Sequence, residues 1–151
     1  MSELKARLRT DLTTAMKARD ELATATIRMT LTAVANEEVA GKESRELTDD
    51  EVLKVIAKEA KKRREAAEAF TAGGRAEQAA RESAEGDFLD QYLPQQLTDD
   101  ELRQIVAAAV AESGASTPRE MGAVMKLVNP QIAGRADGKR VSDEVRSQLG
   151  G

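Results

Sequence analysis

Apolar residues recur at the spacing of an α-helix along almost the whole chain. Leu4, Leu8, Leu12 and Met16 each lie four residues apart, which places them on one face of a helix. The 151 residues include only three prolines, and 40% of them are hydrophobic. Alternation of apolar and polar residues, the pattern of a half-buried strand, does not extend over useful lengths. The sequence therefore predicts an all-α fold with enough apolar residues to form a core.

Helix starts are marked by a repeated pentapeptide. Leu-Thr-Asp-Asp-Glu occurs at residues 47–51 and again at 97–101. In each copy the Thr precedes a Glu by three residues, as in a capping box, where the Thr oxygen accepts a backbone N–H and the Glu reaches back. Residues 117–120, Thr-Pro-Arg-Glu, predict a third box. Because the segments after 51 and 101 differ, we interpret the two copies of the pentapeptide as two efficient helix starts rather than as an internal repeat.

A boundary between two lobes is predicted at Pro94, because proline disfavours helix at the residue before it. Residues 1–93 are expected to form an N-terminal lobe of four helices. Residues 94–151 are expected to form a small three-helix C-terminal lobe with a basic loop flanked by glycines. Predicted helix ends include Gly41, Gly73 and the pair Asn129-Pro130.

The chain contains no Cys, His or Trp. These absences exclude a zinc site built from Cys or His, a Cys nucleophile and a Ser–His–Asp triad. Acidic clusters at residues 49–51 and 99–101 are explained by their positions in helix first turns, so neither a metal nor a cofactor is expected. Acid–base chemistry would fall to Asp, Glu, Lys or Tyr92.

The remaining sequence features favour a cytoplasmic protein. The N-terminal residues lack the pattern of a signal peptide, and the longest apolar runs, such as Ile105–Ala111, are far shorter than a membrane span of about 20 residues. The net charge of −4 argues against indiscriminate binding of nucleic acid. Only the stretch 116–151 has a basic surplus.

Two groups of basic residues are candidates for contacting phosphates or a protein partner. A lysine ridge on the third predicted helix could neutralise phosphates in series, although interleaved glutamates also fit an ordinary mixed-charge surface. The glycine-flanked loop supplies guanidinium and ammonium donors beside glycines that permit close approach, and an ordinary exposed loop is the alternative. The candidates are Lys58 and Lys61 on the ridge, and Lys126, Gly134, Arg135, Lys139 and Arg140 in or near the loop.

Two other predictions concern a helix surface and an ion pair. Met121 and Met125 could form an adaptable apolar contact for a partner helix. Arg63 and Glu38 each fall close to an apolar stripe, which predicts a partly buried ion pair between helices. Glu37 or Glu82 could take the place of Glu38 as the partner of Arg63.

Several short motifs occur in a characteristic order along nearly the full chain. No single motif is specific to one protein family, and only the order and spacing of all of them together are characteristic. They are Arg28-Met29, the Leu-Thr-Asp-Asp-Glu start at 47–51, Lys61-Lys62-Arg63, Gly74-Arg75, Tyr92-Leu93-Pro94, residues 121–125 (Met-Gly-Ala-Val-Met) and residues 134–139 (Gly-Arg-Ala-Asp-Gly-Lys).

In these motifs the sequence resembles the GatB/YqeY family, closest to its stand-alone YqeY-like branch. The resemblance implies two helical lobes related to the C-terminal appendage of the B subunit of a tRNA-dependent amidotransferase. In that enzyme the appendage contacts tRNA, and the catalytic region lies in a separate part of the subunit. The resemblance therefore implies a non-catalytic adaptor for tRNA or for an amidotransferase. Carbon–nitrogen ligase activity with glutamine as amido donor follows only by family association, and a protein-interaction module is the other alternative.

Overall fold

The computed structural model describes residues 2–132 and 134–150, and this part of the chain is helical with no strand. The predicted all-α class is confirmed. None of the described helices is long and apolar enough to cross a membrane. The α-helices are α1 (Glu3–Lys17), α2 (Glu21–Glu38), α3 (Asp49–Ala72), α4 (Ala76–Leu89), α5 (Asp99–Ser113), α6 (Met121–Ile132) and α7 (Gly138–Gln148), and the 3-10 helices are Asp90–Tyr92 and Pro118–Glu120.

The chain divides into two compact units, Met1–Leu93 and Pro94–Gly151. Each unit has its own core of buried side chains. The core of the first unit, formed by α1 to α4, contains Leu8, Ile27, Val34, Leu47, Val52, Ile56, Ala60, Leu89 and Tyr92. The core of the second, formed by α5 to α7, contains Leu97, Leu102, Val106, Ala109, Ala115, Val124, Val128, Ile132, Val141, Val145 and Leu149.

In the first unit, α3 and α4 form a hairpin whose helices approach closely at Gly86. This residue is buried, and a Cβ added there would lie 3.5 Å from Cβ of Arg63 and 3.6 Å from the carbonyl oxygen of Ala60. Such distances are ordinary van der Waals contact, so a methyl group just fits and a longer side chain does not. A small residue at position 86 is thus compatible with the close approach of α3 and α4.

The starts of α1 and α3 share one carboxylate. The Ser2 hydroxyl donates to Asp49, and the backbone N–H of Leu4 donates to the same carboxylate oxygen at 3.1 Å. Because helix N-termini carry unpaired N–H groups, an anion between two of them stabilises both. These contacts lower the pKa of Asp49 below its ordinary value, the Ser2 hydrogen bond being the largest cause.

Two of the three predicted capping boxes are confirmed. The N–H of Glu51 donates to Thr48 Oγ1 at 3.2 Å, and the N–H of Thr48 donates to the Glu51 carboxylate at 3.2 Å. Thr98 and Glu101 make the same reciprocal pair. The third prediction is wrong: Thr117 precedes a 3-10 helix, and its hydroxyl donates to the Glu120 carboxylate instead of capping a backbone N–H.

Two predicted helix ends are also wrong. Helix α6 continues through Pro130 to Ile132. Proline lacks an N–H and crowds the preceding turn, but Pro130 is exposed and Ile132 packs into the core with 4% exposure, so packing holds the last turn in place. Helix α2 ends at Glu38 rather than at Gly41, because the N–H of Arg45 returns to donate to the Glu38 carbonyl at 3.0 Å.

Replacing Glu51 by Gln is expected to reduce the acid sensitivity of the fold. The Arg45 guanidinium, followed by the Thr48 N–H, lowers the pKa of Glu51 from 4.5 to about 2. A carboxylate with a lowered pKa stabilises the folded state above pH 4.5, and that stabilisation is lost as the pH falls towards 2. Melting temperatures measured from pH 5 to pH 2 should fall less steeply for Glu51→Gln than for the original chain.

The control for this prediction is Glu43→Gln, at an exposed position in the same connection between α2 and α3. It makes the same chemical change at a carboxylate that does not pair with Arg45, so the difference between the two variants isolates the Arg45–Glu51 contact. Equal profiles for Glu51→Gln and the original chain would contradict the role given to the Glu51 carboxylate.

Candidate functional site

The loop after α6 is joined to the segment before α5 by backbone hydrogen bonds. The N–H of Leu97 donates to the Arg135 carbonyl at 2.7 Å, and the Gln96 side-chain amide donates to the Gly134 carbonyl at 2.9 Å. Gly134 has a φ of 81°, which is in the left-handed region that favours glycine. The candidate loop is therefore a fixed part of the second unit, and the conformation of Gly134 positions its carbonyl.

Arg135 and Arg140 both point their guanidinium groups at this segment and at the first turn of α5. Arg135 donates from Nε to the Gln95 carbonyl at 3.1 Å, with Nη2 3.7 Å from the Glu101 carboxylate. Arg140 donates from Nη2 to the Leu97 carbonyl and to Asp99, both at 3.0 Å. Each guanidinium thus contacts one carbonyl and one carboxylate of its own unit.

The carboxylate of Glu101 is stabilised in its ionised form by these surroundings. Hydrogen bonds from the Thr98 backbone and side chain lower the pKa of Glu101, and the positive charge of Arg135 adds a smaller effect. At neutral pH, Glu101 is therefore an anion that lies within reach of Arg135.

The two lysines of this region are more exposed than the arginines. Lys139 is 78% exposed and donates to Asp143, one turn along α7, at 3.1 Å. Its backbone N–H donates to the Asp137 carboxylate at 2.7 Å, which caps α7. Lys126 is exposed on α6 and has no hydrogen bond or ion pair with any residue that the structure describes. Lys126 is thus available to an external anion without breaking an internal contact.

The predicted lysine ridge lies on the exposed face of α3 in the first unit. Lys61 lies 4.0 Å from Glu65, whereas Lys54 and Lys58 form no ion pair within residues 2–132 and 134–150. Neighbouring cations are neutralised, since Lys62 pairs with Glu59. The ridge therefore retains two uncompensated positive charges one helical turn apart.

The two methionines of α6 are only partly buried. Met121 and Met125 are half-buried and pack against the core of the second unit. Gly122 is exposed, and a Cβ placed there would meet nothing within 4 Å. Both methionines thus contribute part of their surface to the fold and leave the rest exposed.

The predicted ion pair between Glu38 and Arg63 is wrong. Lys5 donates to both carboxylate oxygens of Glu38, at 2.9 and 3.0 Å, and lowers the pKa of Glu38. Arg63 pairs with Glu82 on α4 at 3.1 Å, which is one of the alternatives that the sequence left open. An apolar stripe in the sequence indicates which face of a helix is buried. The ion-pair partner of a charged residue on that face depends on which other helix packs against it, and the stripe does not reveal this.

Sequence reasoning missed a cluster around Tyr92. This side chain is buried, its hydroxyl donates to Asp11, and the Arg7 guanidinium lies 4.6 Å from the centre of its ring. Burial, followed by the contact with Asp11, raises the pKa of Tyr92 above its ordinary value. The arrangement ties the end of the first unit to α1. No local signal marks it, because the partners lie about 80 residues apart.

No metal cluster emerges among the described residues, and the space between the linked ends of α3 and α4 is an open groove. The described residues contain no group of three or more His, Cys, Asp or Glu side chains placed to hold a metal ion. An open groove of about 710 Å³ lies between α3 and α4 at their linked ends, lined mostly by alanines including Ala67, Ala76 and Ala80. The groove offers small apolar side chains and no cluster of titratable groups.

Comparison with known proteins agrees with the family resemblance of the sequence. No curated protein matches the chain. A family model described as Yqey-like protein matches residues 5–149. Because the match spans nearly all of the sequence, the chain belongs to the YqeY-like protein family.

Proposed function

We propose that this protein is a non-catalytic adaptor that binds the phosphate backbone of tRNA. The observation that carries the proposal is the exposure of uncompensated cations, Lys54 and Lys58 on α3 and Lys126 on α6. Ammonium groups without internal partners gain most from phosphate, because they give up only water and counterions. The resemblance to the tRNA-contacting appendage of the amidotransferase supports tRNA as the RNA class and an amidotransferase as the associated protein.

A backbone mode of binding fits the composition. Only three aromatic residues occur in the chain, Phe70, Phe88 and Tyr92, and a surface that stacks single-stranded bases needs aromatic platforms. Lysines and arginines can instead follow the phosphates of a folded RNA. The net charge of −4 means that binding is confined to local patches and weakens strongly with salt.

The side chains that could have carried acid–base chemistry contribute to the fold instead. Tyr92 is buried and tied to Asp11, and the acidic clusters act in helix starts, as Glu51 and Glu101 show. The polar groups with unusual surroundings are thus engaged in holding the fold. In this proposal the chain offers a binding surface for RNA, and any ligase activity belongs to other subunits.

The direct test is a filter-binding titration of tRNA with the intact chain at several salt concentrations. Counterion release predicts a straight line of log affinity against log salt, with a slope of about −0.7 to −0.9 per phosphate contact. The absence of saturable binding at low salt would contradict the proposal.

Reversing the charge of both Lys58 and Lys126 is expected to weaken tRNA binding by about tenfold or more at low salt and to make the salt slope shallower by about 2. The two side chains are exposed, so circular dichroism should show an unchanged fold. The matched control is the double variant Lys17→Glu/Lys42→Glu, which makes the same charge change at exposed positions outside both candidate groups. Equal losses in the two double variants would show that net charge alone is responsible.

The alternative of a protein-interaction module is separated by pull-downs with and without RNase. A partner lost after RNase supports the RNA adaptor. A partner retained after RNase and lost on Met125→Asp would favour the interaction module, because Met125 keeps part of its surface exposed.

A further inference from the structure

Two carboxylates at the start of α5 pair with Arg135 and Arg140. Asp99 accepts a hydrogen bond from Arg140 at 3.0 Å, and Glu101 lies 3.7 Å from Nη2 of Arg135. A carboxylate and a phosphate present similar oxygens to a guanidinium group. In the folded chain, both arginines are therefore already facing anions of their own unit.

The two kinds of contact made by each arginine differ in how easily they can be replaced. The bonds to the carbonyls of Gln95 and Leu97 fix the direction of the side chains. Both carboxylates are open to solvent: Asp99 is 87% exposed and Glu101 is 49% exposed. Ion pairs between exposed groups contribute little to stability, so exchange of these carboxylates for another anion costs the fold little beyond the hydrogen bond that Glu101 accepts from the Thr98 N–H.

The arginines themselves remain accessible. Their side chains are 38% exposed for Arg135 and 35% exposed for Arg140. A phosphate can thus reach the guanidinium groups if the acidic side chains swing away, while the carbonyl contacts keep the donors in position.

We propose that Asp99 and Glu101 form an autoinhibitory contact, in which they occupy the guanidinium donors of Arg135 and Arg140 until an RNA phosphate displaces them. This inference rests on the proposed RNA binding and specifies how that binding is regulated at the loop. The neighbouring acid Asp100 takes no part, because it pairs with Arg103 on the other side of the first turn of α5.

The test compares two double variants that remove the same charge from the same helix. Asp99→Asn/Glu101→Gln removes both inhibitory carboxylates, and the Gln side chain can still accept the N–H of Thr98 and so keep the helix cap. Asp100→Asn/Glu112→Gln is the matched control, since both of its positions are exposed on α5 and neither contacts Arg135 or Arg140. Thermal melts of both variants check that the second unit remains folded.

The probe is tRNA, titrated by filter binding against the original chain and both variants at one low salt concentration. We expect the Asp99→Asn/Glu101→Gln variant to bind about tenfold more tightly than the control variant, because close charges contribute far more than distant ones. Equal affinities of the two variants, with saturable binding by the original chain, would overturn the autoinhibitory contact and leave the RNA-binding proposal standing. Absence of binding by all three proteins would overturn both.

Discussion

Replacing Leu102 by Ala is expected to unfold the second unit at 25 °C. Leu102 is 3% exposed and lies in the core that α5 to α7 share. Truncating a buried leucine costs about 2–5 kcal/mol. A unit of roughly 60 residues rarely has more than about 3–5 kcal/mol from a single core. The expected loss is therefore comparable to the whole stability of this unit.

Hydrogen exchange measured on peptides of the intact chain checks this prediction. Amides of α5, α6 and α7 should exchange rapidly in Leu102→Ala and slowly in the original chain. The control is Leu127→Ala, which makes the same chemical change at a half-buried position on α6 and should retain most of the protection. Protection that persists across α5 to α7 in Leu102→Ala would contradict the expectation.

Replacing Leu89 by Ala is expected to lower the free energy of unfolding of the first unit by about 2–5 kcal/mol. Leu89 is fully buried at the end of α4, in the core formed with α1, α2 and α3. The first unit has more residues and more helices than the second, so we expect it to stay folded with a lower melting temperature.

Urea titration followed by circular dichroism measures the change in the free energy of unfolding. Hydrogen exchange of peptides shows which unit loses protection. Protection of α5 to α7 should be unchanged in Leu89→Ala, because Leu89 belongs to a separate core. Leu31→Ala, at a half-buried position on α2, is the matched control and should cost less. A similar loss of protection in both units would show that the two cores unfold together.

The sequence predicts those features that depend on local contacts. The capping boxes at Thr48 and Thr98 form as expected, because each needs only a Thr, a Glu three residues later and the intervening turn. The same reasoning fails at Thr117. There Pro118–Glu120 form a 3-10 helix before α6 begins. Helix α6 runs past the expected stop at Pro130, since burial of Ile132 outweighs the local preference.

Contacts between distant residues could not be predicted in the same way. The periodic pattern identifies Glu38 and Arg63 as charges near buried faces, but it cannot tell that Lys5 and Glu82 are their neighbours. In the candidate loop, the sequence identifies Arg135 as a cationic donor and does not reveal the carbonyls and carboxylates that it contacts. Basic residues can be read from composition, whereas their internal partners depend on the packing of whole helices.

The shared carboxylate of Asp49 has a consequence for the order in which the first unit folds. Helix α1 is held at its start by Asp49 and near its middle by Tyr92, which contacts Asp11. Both contacts close long loops in the chain, and loop closure must precede any gain from them. The hairpin of α3 and α4 joins neighbouring segments and needs no such closure. We therefore expect the contacts of α1 with Asp49 and Tyr92 to form after the hairpin of α3 and α4, whereas the pair of Lys5 with Glu38 on α2 closes a shorter loop.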